Sequence, residues 1–240
     1  MVVLAAACGS SGTKSGSGAK NANTTVSAGA SASTTTTTPA PTPAADLATA
    51  KAAVLTPADL PGYTPKAYSP SNDLPASIKK QFSDCTHEPT TIFDDTPGAQ
   101  IAHSPDFDKG DATVSGEVEI DPTKADVDKG WGMLSKAGIE PCLQQLFESA
   151  VKASAPDATF SGTLTTRFDP GVGDRSVGYS IKLTFTAQGT TGTAYVDLLG
   201  VARDRAGIDM TALNIGTPLD RTMENGLLQK MYDRVGDKAA

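Results

Sequence analysis

The chain has 240 residues, 38% hydrophobic and 20% charged, with a formal charge of −7 at pH 7. That is long enough for one domain with a sizeable core, and no apolar run approaches the about 18 residues of a bilayer-spanning helix. The acid excess leaves no basic stripe for nucleic acid, and two histidines and three cysteines leave little material for metal or nucleophile chemistry.

Residues 1–7 are small and apolar and run into Cys8, followed by Gly9, Ser10 and Ser11. This resembles the end of a bacterial lipoprotein signal peptide. The resemblance implies a diacylglycerol on Cys8 and anchoring to the cell membrane. Ala5 stands where such signals favour leucine, and no basic segment precedes the apolar run. The expectation is therefore a truncated signal remnant over 1–8, with the true start upstream. The alternative is an ordinary apolar N-terminus with a chance cysteine. Residues 9–45 are Ser, Thr, Gly, Ala, Pro and Asn, with Val26 as the sole large aliphatic residue. Such a segment cannot bury enough apolar surface to offset the entropy of ordering it, so a disordered tether is expected. Its reach is roughly 120 Å fully extended and roughly 30–40 Å as a coil. Residues 1–45 carry two lysines and no acid, so all 27 acidic residues fall in 46–240, the expected single folded domain.

In that domain Asp46 is read as the N-cap of a helix over 47–54. LTPADLPGY (55–63) reads as a turn, 64–75 as Pro- and Ser-rich loop, and 75–84 as a short helix with Pro75 in its first turn. Val114, Val118 and Ile120 alternate with Ser115, Glu117 and Glu119, a half-buried strand over 112–120. A weak helix over 124–136 places Val127, Trp131 and Leu134 on one face, with Gly130 and Gly132 lowering its propensity. Ile139, Cys142, Leu143, Leu146, Phe147, Ala150 and Val151 follow helical spacing, the strongest helix signal in the chain.

Four strands are expected next. Phe160, Gly162, Leu164 and Phe168 lie on one face of the first, and Val177, Tyr179, Ile181, Leu183 and Phe185 on one face of the second. Ala194, Val196 and Leu198 mark the third, and Ile208, Met210 and Leu213 a shorter, less regular fourth. QGTTG (188–192) and RDRAG (203–207) have hairpin length, so these strands form an antiparallel meander. A closing helix over 219–235 carries Leu219, Met223, Leu227, Met231 and Val235, with Gly226 placed for close packing on the sheet. The expected fold is α+β: a twisted antiparallel sheet of about five strands with helices on it. One face is expected to be apolar and the other to carry Thr, Ser, Arg167, Lys182 and Tyr195.

If Cys8 is lipidated, Cys85 and Cys142 remain as an even pair in an oxidising compartment, either bridged or buried as free thiols. Asp106, Asp108, Asp111 and Glu117 echo the spacing of a calcium loop, but Gly110 and Asp111 occupy the wrong positions, and an acidic hairpin turn is the plainer reading. His87, His103 and Ser176 are the residues a hydrolase reading can nominate. No GxSxG, phosphate-binding loop or CxxC accompanies them. Trp131, the single tryptophan, is either core or the wall of an apolar pocket.

LTPADLPGY (55–63), IEPCLQQLFESAV (139–151), VGDRSVGYSIKL (172–183), TAYVDLLGVARDRAGI (193–208) and LLQKMYDRV (227–235) together resemble small actinobacterial, mycobacterial-type surface lipoproteins. Similar patterns occur in the extracellular sensor domains of mycobacterial serine/threonine kinases and in PsbP-like lipoproteins. This chain has one cysteine pair rather than two and no kinase domain. The resemblance implies an antiparallel sheet with helices and a cleft, and binding of a ligand or partner in the cell envelope, with no established chemistry and no cofactor. The expectation is a non-enzymatic, lipid-anchored protein that binds a small apolar or glycan-like ligand, near Trp131, or an envelope protein. A structural or chaperone-like module and an envelope hydrolase are the alternatives.

Overall fold

The computed structural model describes residues 42–68, 74–154, 156–187 and 189–236. Cys8 and residues 9–41 of the expected tether lie outside them. Among the described residues the order is α1 (Pro43–Ala53), β1 (Thr64–Lys66), α2 (Ala76–Thr86), β2 (Gln100–His103), β3 (Asp106–Lys109) and β4 (Ala112–Ile120). Then come α3 (Lys124–Leu134), α4 (Glu140–Ser154), β5 (Thr159–Phe168), β6 (Ser176–Ala187), β7 (Thr190–Arg203), β8 (Ala206–Ile215) and α5 (Arg221–Val235). A 3-10 turn, Thr90–Phe93, follows α2.

The architecture is α+β, with a single antiparallel sheet of eight strands rather than five, ordered β1-β3-β4-β8-β7-β6-β5. The expected meander is its second half. β2 also pairs with β4, alongside the β3 pairing, so β2 and β3 lie along β4 as one interrupted strand, with β1 outside β3. The interruption is Ser104-Pro105, where the Ser104 N–H donates to Gly116 O and the Ser104 hydroxyl accepts from Gly116 N. β1, β2 and β3 lie where loop was expected, because each has only three or four residues, too few for a periodicity to show.

Cross-strand partners share a face, so the register sorts every side chain. On one face Val114, Val118, Ile120, Leu199, Val201, Ile208 and Met210 pack under Ala50 and Ala53 of α1 and Leu227, Leu228 and Met231 of α5. On the other, Val177, Tyr179, Ile181, Leu183 and Val196 pack under α2, α3 and α4 through Phe82, Trp131, Ile139, Leu143 and Phe147. Helices thus cover both faces, which corrects the expectation of one apolar and one polar face. β7 shows why: Val196 belongs to one core and Leu199 and Val201 to the other, so the strand is apolar on both sides.

A register shift between Phe160 and Gly162 corrects β5 as well. The bulge puts Phe160 beside Phe185 on the α4 face and sends Leu164 to the opposite face, where it is 59% exposed. Arg167 opposes Tyr179 on the α4 face and donates to Ser135 O at 3.0 Å. Leu213 likewise separates from Ile208 and Met210, joining the core under α4.

The helix starts are also specific. Thr42, not Asp46, caps α1, accepting from the Ala45 N–H at 3.3 Å. Asp46 turns inward and receives both guanidinium nitrogens of Arg205, at 2.9 and 3.1 Å, and that pairing fixes α1 to the β7–β8 turn. Asp59 of LTPADLPGY accepts from Thr56 and from Arg234 of α5, so this motif is a structural clasp. At the other end of α5, Arg221 lies 3.6 Å over the Phe168 ring and pairs with Asp197 and Glu224. Phe168 rests on Gly178, where a Cβ would stand 2.1 Å from the ring. Gly226 has open space beside it; the glycines that permit close packing include Gly178, Gly116 under Met231 and Gly173 under Tyr232.

Cys85 and Cys142 are bridged, which ties the last turn of α2 to the first turn of α4. The chain-entropy model gives a closure of this length roughly 4 kcal/mol.

Candidate functional site

α4 and α2 cover the sheet over β5–β7, and α1 and α5 cover the opposite face of β4, β7 and β8. That leaves one corner of the α4 face, over β4, β8 and the end of β7, roofed only by α3 and the segment after α2. The strand positions there that point toward α3 are Gly200, Ala202 and Gly207, with Glu119 and Asp209 between them. Small side chains under a helix leave space, and the result is a cavity of about 390 Å³. One wall is α3, with Val127, Trp131, Met133 and Leu134; the other is the 3-10 turn and Asp94–Thr96.

α3 is held firmly. Its N-cap Thr123 accepts from the Asp126 N–H and donates its hydroxyl proton to the Asp126 carboxylate at 2.6 Å. Lys124 and Arg175 both bind Asp128, and the Arg175 guanidinium lies 5.3 Å from the Trp131 ring centroid. Lys136, just past α3, donates to Thr86 O at 2.7 Å and pairs with Glu88, closing α3 onto the end of α2. The disulfide stands behind this joint. Trp131 is half-buried, with one part packed on the core under α4 and one part lining the cavity, whose lining is acidic rather than apolar.

The chemistry of the floor is carboxyl on carboxyl. Glu119 is pushed up to about 8 by burial, then by the negative charges of Asp121, Glu117, Asp209 and Asp95. Asp121, 5% exposed, is raised by burial and by Asp126, and is hydrogen-bonded by Thr96 and Glu119. A protonated Glu119 is thus the donor in the Glu119–Asp121 contact. Asp209 lines the cavity and is exposed; the protein packed around it and the charge of Glu117 raise its carboxyl above the usual range. Gly200, opposite it in the ladder, leaves room for its carboxyl: a Cβ there would lie 3.1 Å from Oδ1. Next along the same face, Glu117 pairs with His103 Nδ1 at 2.9 Å, and His103 stacks on Tyr68 with centroids 3.9 Å apart.

The other nominated residues are not brought together. His87 is exposed at the end of α2, with φ of 60°. His103 lies on β2 and Ser176 on β6, with β4, β8 and β7 between them, and Ser176 donates to Asp169 instead. Asp106 and Asp108 sit in β3, where Asp108 binds Lys66 and accepts from Thr113, while Glu117 is engaged with His103. The DFDKGD segment is a hairpin, and among the described residues no group of three ligands could hold a metal ion. The cavity carboxyls escaped sequence reading because Glu117 and Glu119 look like the solvent side of a strand. Asp121 follows β4 directly, but Asp95 and Asp209 come from two other segments. The signal available was Gly200, Ala202 and Gly207, small residues aligned only once the β7–β8 register is known.

Among the described residues no helix is long and apolar enough to cross a membrane. No family model matches the sequence, and no curated protein matches it. Among solved structures, the extracellular domain of PknH from Mycobacterium tuberculosis is similar at 14% identity, with a TM-score of 0.30. The similarity covers 56% of this chain, which spans 63% of the length of that one.

Proposed function

We propose that this protein is a non-enzymatic, lipid-anchored binding protein of the cell envelope, and that the cavity beneath α3 is where its ligand sits. The observation that carries the binding reading is the cavity itself: about 390 Å³, with Trp131 in one wall and carboxyls in the floor. That volume suits a small molecule, and a few convergent polar groups beside an aromatic wall are the usual furniture of such sites. The lining favours a ligand with polar groups for Glu119 and Asp209 and a less polar body against Trp131, over a wholly apolar one. The anchor rests on the sequence around Cys8 and on the Ser/Thr/Gly/Pro segment that follows it.

The binding reading is tested by native mass spectrometry of the full chain after exposure to an envelope extract. Gly207 lines the cavity and has open space where a Cβ would stand, so Gly207→Phe fills the cavity without a clash at its base. A defined added mass on the parent and none on the variant is the expected result. The same mass on both, or on neither, rejects the cavity as the ligand site. Cys8→Ser in a full-length precursor is expected to release the protein from membranes, and continued retention rejects the anchor.

A further inference from the structure

We infer that the outer edge of β5 is an interface at which two copies of this chain pair, edge to edge, about a two-fold axis. β5 closes one side of the sheet, bonded to β6 alone, and among the described residues no strand lies beyond it. An edge of ten residues presents a row of N–H and C=O groups with no strand to meet. Chains normally blunt such an edge with proline, charge, shortness or a covering segment. The opposite edge of this sheet is blunted in that way. β1 has three residues, and two of them are Pro65 and Lys66. β5 contains no proline, no lysine and no acid. Its bulge lies at Phe160/Gly162, near the start, and Gly162–Phe168 continues in regular register with β6.

A side chain of the same strand gives a second, independent observation. Leu164 is 59% exposed, the most exposed large hydrophobic among the described residues. The bulge turns it to the face away from α4. There α1 and α5 lie over β4, β7 and β8, and Leu164 and its neighbour Lys182 on β6 are left uncovered.

Self-complementarity and charge select a second copy as the occupant. The chain carries −7, yet Arg167 is the single charged residue of β5, so two acidic molecules meet here with least repulsion. Antiparallel pairing that sets Leu164 against Leu164 of the second copy also sets Thr163 against Thr165, Gly162 against Thr166 and Ser161 against Arg167. The two arginines then lie roughly 20 Å apart along the strands. No like charges are opposed, whereas a charged foreign peptide would find no counter-charge along most of the edge. The two leucines become cross-strand neighbours, flanked by the alkyl stem of Lys182 from each copy. Those lysines stand three strand spacings apart, roughly 14 Å, beyond the screening length at physiological salt. Each copy has one such edge, so the pairing closes at two and joins both sheets into one. The cavity, over β4 and β8, stays open in both copies.

The test uses the full chain with Cys8→Ser, so that this thiol cannot cross-link copies. Sedimentation equilibrium in roughly 150 mM salt reads the mass, and amide exchange reads β5 at the lowest and highest concentrations. A monomer–dimer equilibrium with a dissociation constant of roughly 1–100 µM is expected for so small an interface. The β5 amides should exchange about tenfold more slowly where the dimer dominates. Leu164→Glu sets two carboxylates against each other and should weaken the dimer about tenfold or more, with the thermal transition of the monomer retained. Ile215→Glu, at the other exposed large hydrophobic, should leave the dimer unchanged. A chain that is monomeric throughout overturns the inference. If its β5 amides are slow at every concentration, another segment of the chain covers the edge; if they slow only with added envelope extract, a foreign strand does. A dimer weakened by neither variant, or equally by both, overturns it, because the contact then lies elsewhere. Growth past the dimer overturns the closed two-fold pairing.

Discussion

Glu119→Gln is the substitution whose effect depends most on the cavity being as described. Glu119 holds its proton more tightly in the folded chain, with its carboxyl raised from 4.5 to about 8 by burial and by its acidic neighbours. Its contribution is therefore fully present below about 4.5 and is lost as the pH climbs toward 8. A rise of that size corresponds to roughly 5 kcal/mol if assigned to one group at about 1.4 kcal/mol per unit. Asp121 and Asp209 share it, and cavity water screens part of it, so about 2 kcal/mol is the share expected for Glu119 alone. Glutamine keeps an N–H donor for Asp121 and cannot ionise. At about pH 5 variant and parent should melt together. At about pH 8.5 the variant should be more stable by about 2 kcal/mol, or roughly 4–8 °C in Tm for a domain of this size. Thermal denaturation followed by circular dichroism at the two pH values reads this directly. A Tm difference that is the same at both, or a variant less stable at the higher pH, would refute the carboxyl crowding.

Gly178→Ala should cost about 1–3 kcal/mol, because Phe168 cannot yield without leaving its stack under Arg221; urea denaturation measures it. Gly226→Ala, in open space on α5, should instead stabilise by about 0.5–1 kcal/mol, and the opposite signs of the two distinguish close packing from helix propensity. Arg205→Ala leaves Asp46 buried without its partner and should cost about 3–5 kcal/mol in the same assay. Alkylation of the unfolded, non-reduced chain should label neither Cys85 nor Cys142, and label both after reduction, when up to roughly 4 kcal/mol of stability is lost.

The long periodic segments were legible from the sequence. β4 and β6 begin and end where their alternation does, and α4 follows its helical stripe, because each buries one face against a single neighbour. β7 also forms, but its two apolar sides meant two cores, and this is the clue that helices cover both faces. Where one residue decides the outcome, periodicity fails. The bulge at Phe160/Gly162 reverses the rest of β5, and Asp46 is a buried partner of Arg205 159 positions away rather than a cap. The cysteine pairing was reached by counting, and the bridge joins the two helices that carry it. Trp131 was singled out as core or pocket wall, whereas the carboxyls near it were not singled out at all. A glutamate alternating with valine in β4 reads as solvent-facing, as does Asp121 two places on, and only the fold brings Asp209 and Asp95 to them.

The central claim is that the space beneath α3 receives a ligand. Its most direct test is the single indole N–H resonance of Trp131 in the full chain, recorded before and after adding the small-molecule fraction of an envelope extract. A shift in the parent that is absent in Gly207→Phe is the predicted result. No shift in the parent, or the same shift in both proteins, contradicts the claim.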